Sequence, residues 1–538
     1  MSMMSKSTIT QVTVGLPMRL FVLLLWTTNV ASLKPNVVFL MLDDVGYGDL
    51  GLYGHPTSST PNIDVLASKG MVFTQFYAGS SMCSPSRASL LTGRLPPRTG
   101  VYPRVFAPDS SGGLPLHETT IAQILKQQGY QTAIIGKWHL GIGQKQKYLP
   151  TNFGFDHYFG IPYSNNQCPC QQSCFWPDDP CDRQWCLTEF PKCPLFHNDK
   201  IIEQPVDLIT LNRRYAATAR DFIARQSARN RPFFLHYAFQ HCHSPQFAGK
   251  QFRNSTLRGV YGDSLAEVDW SVGQVLEEIH KQGIADNTFI FFLSDNGPAI
   301  TEKREGGVAG LLKCGKGTTY EGGQRVPGIA VWPGKIPAGV RTTELASTMD
   351  LLPTLAKLTG AEVPSVALDG TDISSVLFTG GKSKRDTFFY YPNLATKSIG
   401  VYAVRYRQYK AHFYTEGSEH SGEENPDRDC RPSATLTKHD PPLLFDLHED
   451  PSELYNLNQE GEEYIEILNK IKRIYRKHVL TMDWAESEYL KPTDPDVQPC
   501  CSPGCQPFPR CCQCHKAQEP VSFPDKFTQD FNESKSWH

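Results

Sequence analysis

Along the chain, continuous apolar runs alternate with segments whose apolar residues recur at helical spacing. The runs NVVFLML, QTAIIG, PFFLHYAF and TFIFFL are typical of strands that are buried on both faces of a parallel sheet. Two segments of helical pattern, TPNIDVLASKG and TTIAQILKQQG, lie between them, and the first begins with a threonine N-cap followed by proline. This alternation predicts an α/β fold in which helices flank a parallel sheet.

The pattern changes near residue 385. Short segments such as TFFYYP, GVYAVRY, YKAHFYT and PLLFDL are separated by turn-forming residues and predict a small antiparallel sheet. The segment EEYIEILNKIKRIYRKHVL follows, and we expect one face of this helix to pack against the core. That face is formed by Ile465, Leu468, Ile471 and Tyr475.

The first 32 residues have the features of a secretory signal peptide. Basic Lys6 and Arg19 precede the apolar run LFVLLLW, and small Ala31 and Ser32 lie near a suitable cleavage point. This apolar run is too short to span a bilayer, and no other segment reaches that length, so we expect no transmembrane anchor. The sequence predicts a soluble protein of the secretory pathway.

Length and charge limit the organisation and the partners of the chain. The 538 residues predict a main domain over 33–384, a small α+β domain over 385–490 and a cysteine-rich tail over 491–538. The 53 Lys and Arg residues nearly balance the 55 Asp and Glu residues, which disfavours nucleic acid as a partner. Any anion-binding site must therefore be local.

Sixteen cysteines fit an oxidising compartment. Six lie between Cys168 and Cys193 and six in the tail, and both clusters are expected to form local disulfides. Zinc knuckles are the alternative, which the secretory start disfavours. Cys314 and Cys430 could form a long-range bridge, which would leave Cys83 and Cys242 unpaired, although sequence alone does not fix connectivity.

Polar residues follow the predicted strands directly. Asp43 and Asp44 come after the first strand, and Asp295 and Asn296 come after TFIFFL. In open α/β sheets, loops at the carboxyl ends of the strands converge on the ligand. Two carboxylates ~4 Å apart repel by roughly 4 kcal/mol at an effective dielectric constant of about 20, so a cation is expected between them. Hard oxygen ligands favour calcium or magnesium over zinc, and the mixed carboxylate and amide set suits calcium better.

Cationic and imidazole side chains lie in the neighbouring motifs and together indicate a pocket for a tetrahedral oxyanion. They are Arg87, Lys137, His139, His243 and Lys316. The glycines around Lys316 partly match a nucleotide-binding loop. Gly317 stands at its hydroxyl position, however, so we do not expect a nucleotide site.

Cys83 is isolated in sequence, within SSMCSPSRASLLTGR, at the predicted start of a helix. A lone cysteine is most often a small buried apolar residue. At a helix N-terminus, however, free N–H groups and the helix dipole favour negative charge. A thiolate nucleophile is one use of this position.

The stretch from Cys83 to Arg87, followed by ASLLTGR, resembles the signature of the sulfatase family, in which C-x-P-x-R directs oxidation of the cysteine to formylglycine. Further stretches resemble the family over nearly the whole mature chain: MLDDVGYGDLGLYGHP, GKWHLG, FGIPYS, SDNGP and CGKGTTYEGG. The resemblance implies the alkaline-phosphatase-like sulfatase fold. This fold has a large mixed, mostly parallel sheet flanked by helices and a smaller C-terminal antiparallel sheet domain.

The resemblance also implies roles for the candidate residues. Calcium would be bound by Asp43, Asp44, residue 83, Asp295 and Asn296. The converted Cys83 would be the nucleophile, Arg87 would hold its hydrate and His139 would be the better candidate base. Sulfate contacts or proton transfer would involve Lys137, His139, Ser164, His243 and Lys316. His243, before Ser-Pro, fits the motif better than His241, whereas Cys242 departs from the threonine expected there.

The implied reaction is hydrolysis of a sulfate ester, with the 3-sulfate of galactosylceramide as the leading substrate. Alternatives are an N-acetylgalactosamine-6-sulfatase activity, a phosphoesterase or an inactive sulfatase-like binding protein. Implied partners are a formylglycine-generating enzyme, a lipid-presenting activator protein and further copies of the chain in a homodimer or larger assembly. Lysosomal residence, with some secretion, is expected, and Asn254 and Asn532 are candidate glycosylation sites.

Overall fold

The large sheet is built around β1 (Asn36–Leu42), which lies between β8 (Thr288–Ser294) and β7 (Phe233–Ala238). All three strands run parallel, and each is buried along its whole length. This explains their unbroken apolar sequences, because residues on both faces of each strand pack against helices. The structure is a computed structural model that describes residues 34–169, 189–300 and 305–514. The predicted signal peptide 1–32 and Asn532 lie outside these residues.

The remaining strands extend this sheet in both directions. The spatial order is β10 (Val340–Thr342), β2 (Met71–Tyr77), β9 (Arg325–Val331), β8, β1, β7, β3 (Gln131–Gly136), β4 (His157–Gly160), β5 (Leu195–His197) and β6 (Lys200–Glu203), with β11 (Ala346–Ser347) paired to β2. β9 is antiparallel to both neighbours, and β4, β5 and β6 form an antiparallel edge. The predicted large, mixed, mostly parallel sheet is therefore confirmed.

Helices flank the sheet where the sequence alternates. Their bounds are Pro61–Ser68, Cys83–Thr92, Pro96–Thr99, Ile121–Gln127, Leu208–Ala228, Gly259–Lys281, Glu321–Gln324, Leu351–Thr359, Ser374–Thr379 and Glu462–Thr481. Thr60 is the N-cap residue of the first helix, but its side chain accepts no capping bond. Asp269 accepts from the N–H groups of Asn62 and Ile63 instead, at 3.2 Å and 2.9 Å, so a distant residue caps this helix.

A second, antiparallel sheet of four strands confirms the predicted small C-terminal sheet. Its strands are β12 (Thr387–Tyr390), β13 (Ala403–Tyr406), β14 (Tyr409–Thr415) and β15 (Thr437–Asp446), in that order. One face packs against the helix Glu462–Thr481 in a separate apolar cluster. The exact domain boundaries remain a prediction.

The predicted core face of this last helix is partly wrong. Leu468 and Ile471 are buried and Tyr475 packs against the same cluster, but Ile465 is 49% exposed. Ile465 lies about 120° around the helix axis from Ile471, which places it beyond the buried arc. Tyr464, about 20° from Ile471, is buried in its place.

The disulfides follow the expected local and long-range pattern. Among the described residues the bonds are Cys168–Cys193, Cys314–Cys430, Cys500–Cys512, Cys501–Cys514 and Cys505–Cys511. Cys83 and Cys242 are free, as the Cys314–Cys430 bridge implied, and both are buried. The other four cysteines of the first cluster lie outside the described residues. None of the described helices is long and apolar enough to cross a membrane.

We expect Ile471→Ala to destabilise the protein by about 2–5 kcal/mol, because it leaves a cavity between the last helix and the small sheet. Ile465→Ala is the matched control on the same helix, with an expected effect within about 0.5 kcal/mol. Denaturant unfolding of both variants measures the difference. Equal destabilisation by the two substitutions would contradict the packing described.

Candidate active site

Four neighbouring parallel strands deliver the predicted site residues at one edge of the sheet. Asp295 and Asn296 follow β8, Asp43 and Asp44 follow β1, His243 lies beyond β7, and Lys137 and His139 follow β3. Because carboxyl ends of parallel strands meet at one edge, residues far apart in sequence become neighbours. All of these side chains are buried.

Asp43 and Asp44 form the centre of the site. The main chain holds Asp43 at the end of the sheet, since its N–H donates to the His241 carbonyl at 2.9 Å and its carbonyl accepts from the Cys242 N–H at 2.8 Å. Asp44 has a φ of 57°, a left-handed conformation that only a few non-glycine residues adopt. Its main-chain N–H donates to Asp295 Oδ1 at 3.2 Å, which ties the backbone after β1 to the carboxylate after β8.

Cys83 begins the helix Cys83–Thr92 and is 1% exposed. Its Sγ lies 3.6 Å from Asp43 Oδ1 and 4.0 Å from Asp44 Oδ1. Burial raises the pKa of the thiol to about 12, even though Lys137 and Lys316 are nearby. An unmodified thiolate nucleophile is therefore disfavoured at this position.

Arg87 lies one turn along the same helix and binds Asp295. Its Nε donates to Asp295 Oδ2 at 3.0 Å and its Nη2 lies 2.8 Å from the same oxygen. Its Nη1 donates to the Lys137 carbonyl at 2.9 Å. Burial and the charge of Asp43 raise the pKa of Asp295 to about 6, and Arg87 opposes that rise.

Lys137 and Ser164 form a second pair of polar groups at the site. The Lys137 ammonium donates to Asp43 Oδ2 at 2.5 Å and to Ser164 Oγ at 3.2 Å. Both side chains are at most 1% exposed. The ammonium and the hydroxyl thus lie beside the first carboxylate, where they can contact an anion.

Lys316 and His243 lie beside the second carboxylate, that of Asp44. Lys316 Nζ donates to Asp44 Oδ2 at 2.7 Å and to His243 Nε2 at 3.3 Å. His243 Nδ1 lies 2.5 Å from the Ser244 carbonyl, so Nδ1 carries the proton and Nε2 accepts. Burial and Lys316 lower the pKa of His243 to about 3. Asp44 raises the pKa of Lys316 despite the opposing effect of burial.

His139 is held by one ring nitrogen. Its Nε2 donates to the Phe106 carbonyl at 3.1 Å, while its buried Nδ1 has no hydrogen-bond partner among the described residues. Burial, together with Lys137 and Arg87, holds the pKa of this imidazole well below its usual value. The ring is therefore neutral, and Nδ1 has a lone pair available to accept a proton.

His241 lies behind the site rather than in it. Its Nε2 is 3.2 Å from Glu267 Oε2, both side chains are 1% exposed, and its ring packs on Phe247 with centroids 4.0 Å apart. The preference for His243 over His241 agrees with this geometry. Sequence analysis did not identify Phe106, whose carbonyl accepts from His139, or Ser418, whose hydroxyl donates to the Lys316 carbonyl. Both residues lie in loops that carry no recognisable motif.

The side chains fit a divalent cation. One ligand atom each of Asp43, Asp44, Cys83 and His243 lies within 4.8 Å of the others. Arg87, Lys137 and Lys316 already offset the three carboxylates, so repulsion alone does not require a metal. The stronger indication is Asn296, whose Nδ2 donates to Asp44 Oδ1 at 2.7 Å, while its buried Oδ1 has no hydrogen-bond partner within the part of the chain that the structure describes. An orphaned oxygen beside three carboxylates suits a hard cation.

Most of the chain matches known protein families. The model described as "Sulfatase" matches residues 35–361, and the model "C-terminal region of aryl-sulfatase" matches residues 383–514. The chain belongs to the sulfatase family. It is therefore a sulfuric ester hydrolase.

Relatives within the sulfatase family cover nearly the full length of the chain. Arylsulfatase A of Bos taurus is 47% identical over 506 residues, which are 92% of this chain and 99% of the relative. N-acetylgalactosamine-6-sulfatase of Sus scrofa is 37% identical over 523 residues, which are 92% of this chain and 94% of the relative. The crystal structure of the PsFucS1 sulfatase from Pseudoalteromonas sp. has a TM-score of 0.72 at 28% identity, covering 85% of this chain and 92% of that one. The predicted resemblance to the sulfatase family and the alkaline-phosphatase-like fold are confirmed.

Proposed function

We propose that the chain hydrolyses sulfate esters through a formylglycine made from Cys83, with a calcium ion beside it. The observation that carries this proposal is the position of Cys83, buried at a helix N-terminus and 3.6 Å from Asp43. Burial raises the pKa of the unmodified thiol to about 12, so a cysteine thiolate is disfavoured as the nucleophile. The Cys-x-Pro-x-Arg signature through Arg87 supports the same modification.

The formylglycine hydrate supplies two hydroxyls on one carbon, one to displace the alcohol from sulfur and one whose deprotonation lets sulfate leave as the aldehyde returns. Arg87 and Lys137 supply positive charge at residue 83 and at the sulfuryl oxygens. Ser164, 3.2 Å from the Lys137 ammonium, donates a further hydrogen bond to the sulfate.

The calcium ion would be held by Asp43, Asp44, Asp295 and Asn296, together with an oxygen of residue 83. When bound, it supplies a Lewis acid that neutralises charge on the sulfuryl oxygens. Carboxylates with an amide oxygen are the ligand set that calcium prefers over zinc. The unpartnered Asn296 Oδ1 supports this set.

Two groups on opposite sides of the site handle protons. His139 accepts a proton at Nδ1, because its ring is neutral and Nε2–H is occupied by the Phe106 carbonyl. We assign Lys316 rather than His243 as the donor to the leaving oxygen, because the ammonium carries protons at the site whereas burial keeps the imidazole neutral. Asp44 raises the pKa of Lys316 and so opposes proton release, which makes the donation depend on a strongly basic leaving oxygen. His243 accepts from Lys316 and orients it.

The proposed physiological substrate is the 3-sulfate of galactosylceramide. Two features support it: the identity to arylsulfatase A, and the GIPYS stretch and CC-x3-C-x5-CC-x-C tail that resemble that enzyme most. The second candidate is a 6-sulfated N-acetylgalactosamine in a glycosaminoglycan, which the relative of that name favours. Phosphoesterase activity and a purely binding role have less support, because the chain belongs to the sulfatase family and the residues that the resemblance assigns to the site are neighbours.

The proposed setting is the lysosome, reached through the secretory pathway, with some enzyme secreted. Asn254 is exposed in the loop before the helix Gly259–Lys281 and is accessible for glycosylation. A formylglycine-generating enzyme would act during maturation. A lipid-presenting activator protein would deliver a membrane lipid to the buried site, and the chain would assemble as a homodimer or larger oligomer.

We expect Cys83→Ser to abolish turnover, because a serine ester of sulfate lacks the second hydroxyl needed to expel sulfate. The loss of kcat should be at least about 10³-fold, with at most slow sulfation of the serine. Steady-state rates on an aryl sulfate and intact-protein mass measure both effects. Sustained multiple turnover by the purified variant would refute the proposed nucleophile.

Side-by-side rates on three substrates test the proposed specificity. We expect kcat/KM for sulfated galactosylceramide, presented in detergent micelles, to exceed that for N-acetylgalactosamine 6-sulfate by at least about tenfold. An aryl phosphate should be hydrolysed more slowly than the matching aryl sulfate. The reverse order for the two sugars would support the glycosaminoglycan sulfatase, and preference for the phosphate would support a phosphoesterase.

A further inference from the structure

The loop that carries Lys316 is attached to the region of the small sheet on both sides of this lysine. Cys314 forms a disulfide with Cys430, and the Lys313 ammonium lies 2.8 Å from Asp427 Oδ2. The loop ends at Glu321, whose buried carboxylate contacts polar side chains of the small sheet. These contacts join residues more than a hundred positions apart, so the Lys316 loop is not fixed by the large sheet alone.

Ser418 makes the closest of these contacts to the site. Its buried hydroxyl donates to the main-chain carbonyl of Lys316 at 2.7 Å. Gly317 makes this approach feasible, because a Cβ there would lie 2.3 Å from Ser418 Oγ. The Ser418 N–H in turn donates to the carbonyl of Cys430 at 3.1 Å, next to the disulfide. The backbone of Ser418 is thus fixed next to the disulfide, while its hydroxyl binds the Lys316 carbonyl.

The far end of the loop is held by charge. The Lys410 ammonium, fully buried on β14, lies 3.0 Å from Glu321 Oε1 and 2.9 Å from Glu453 Oε1. Glu453 Oε2 accepts the Glu321 N–H at 2.7 Å, and Tyr390 of β12 donates to Glu321 Oε1 at 2.8 Å. Removing one member of such a buried network leaves an uncompensated charge, so the cluster holds Glu321 firmly.

The large-sheet region holds the backbone of Lys316 and Gly317 through main-chain bonds. It also supplies side-chain contacts to the loop, from Asp44 and His243 to the Lys316 ammonium and from the Tyr77 hydroxyl of β2, which donates to Glu321 Oε2 at 2.5 Å. The Lys316 N–H donates to the Pro298 carbonyl at 2.9 Å, and the Gly317 N–H donates to the Ser81 carbonyl at 3.0 Å. The Lys316 side chain must still reach Asp44 at 2.7 Å and His243 at 3.3 Å. The position of the Lys316 backbone therefore determines whether the ammonium can make these two hydrogen bonds.

We propose that the small C-terminal region positions Lys316 for catalysis, with Ser418 and Lys410 as positioning residues that act through this lysine. The inference rests on the proposed function, in which Lys316 protonates the leaving oxygen. The small region then does more than stabilise the chain, because it sets the geometry of one proton donor in the active site.

A double-mutant cycle between Ser418 and Lys316 separates positioning from general stability. Ser418→Ala removes one hydroxyl and no charge, so we expect a folded protein with kcat/KM for an aryl sulfate reduced about tenfold. In the Lys316→Ala background, the same substitution should change the rate less than about twofold, because the group it positions is gone. Ser421→Ala is the matched control. Ser421 is buried three residues away, and its hydroxyl accepts from Asn425 rather than holding the Lys316 loop.

The leaving group supplies a second readout. If Ser418 acts through a proton donor, the loss in Ser418→Ala should be larger for an alkyl sulfate than for a nitrophenyl sulfate, whose leaving oxygen needs little protonation. Lys410→Met should show the same leaving-group dependence if it folds, and Lys410→Arg should restore part of the rate. Ser418→Ala alone decides the question if the Lys410 variants do not fold.

The results distinguish failure of the positioning proposal from failure of the proposed function. Equal losses from Ser418→Ala in the two backgrounds, or a loss matched by Ser421→Ala, would overturn the positioning proposal and leave the proposed function intact. Wild-type rates in Lys316→Ala would instead remove Lys316 from the proposed mechanism. A non-additive cycle with the expected leaving-group dependence supports both.

Discussion

Three buried carboxylates at one edge of a parallel sheet have to be neutralised, and the rest of the site follows from that requirement. Asp43, Asp44 and Asp295 are at most 2% exposed, and each contacts at least one of three buried cations. These side chains alone bring the cluster close to electrical neutrality. A divalent ion added to it leaves an excess of positive charge, which suits a sulfate ester anion and stabilises charge that develops as the ester bond breaks.

The same environment makes an unmodified cysteine a poor nucleophile at this position. A thiol among buried carboxylates resists ionisation, as the raised pKa of Cys83 indicates. Burial also keeps His139 and His243 neutral. The proposed mechanism therefore pairs a neutral base, His139, with a charged donor, Lys316, and needs no imidazolium. Proton transfer in both directions then becomes available within one pocket.

The large sheet and much of the site could be predicted from the sequence, because buried parallel strands have unbroken apolar runs and end in polar motifs. Asp43, Asp295 and Lys137 are examples. Local pattern could not show that Asp269 caps a distant helix or that Ile465 lies beyond the buried arc, since both depend on tertiary packing. Nor could it show that Ser418 reaches Lys316, because this contact joins loops from the two sheets.

The most direct test of the carboxylate site is its calcium dependence. We expect the active enzyme to contain one calcium ion per chain and its melting temperature to fall on chelation and recover with calcium. A free calcium concentration of about 100 times Kd would raise the free energy of unfolding by about 2.7 kcal/mol. Asp295→Asn should lose this response, whereas Asp269→Asn, which alters a buried carboxylate at the cap of another helix, should keep it. A fully active enzyme that contains no divalent metal and shows no response to chelation would contradict the account.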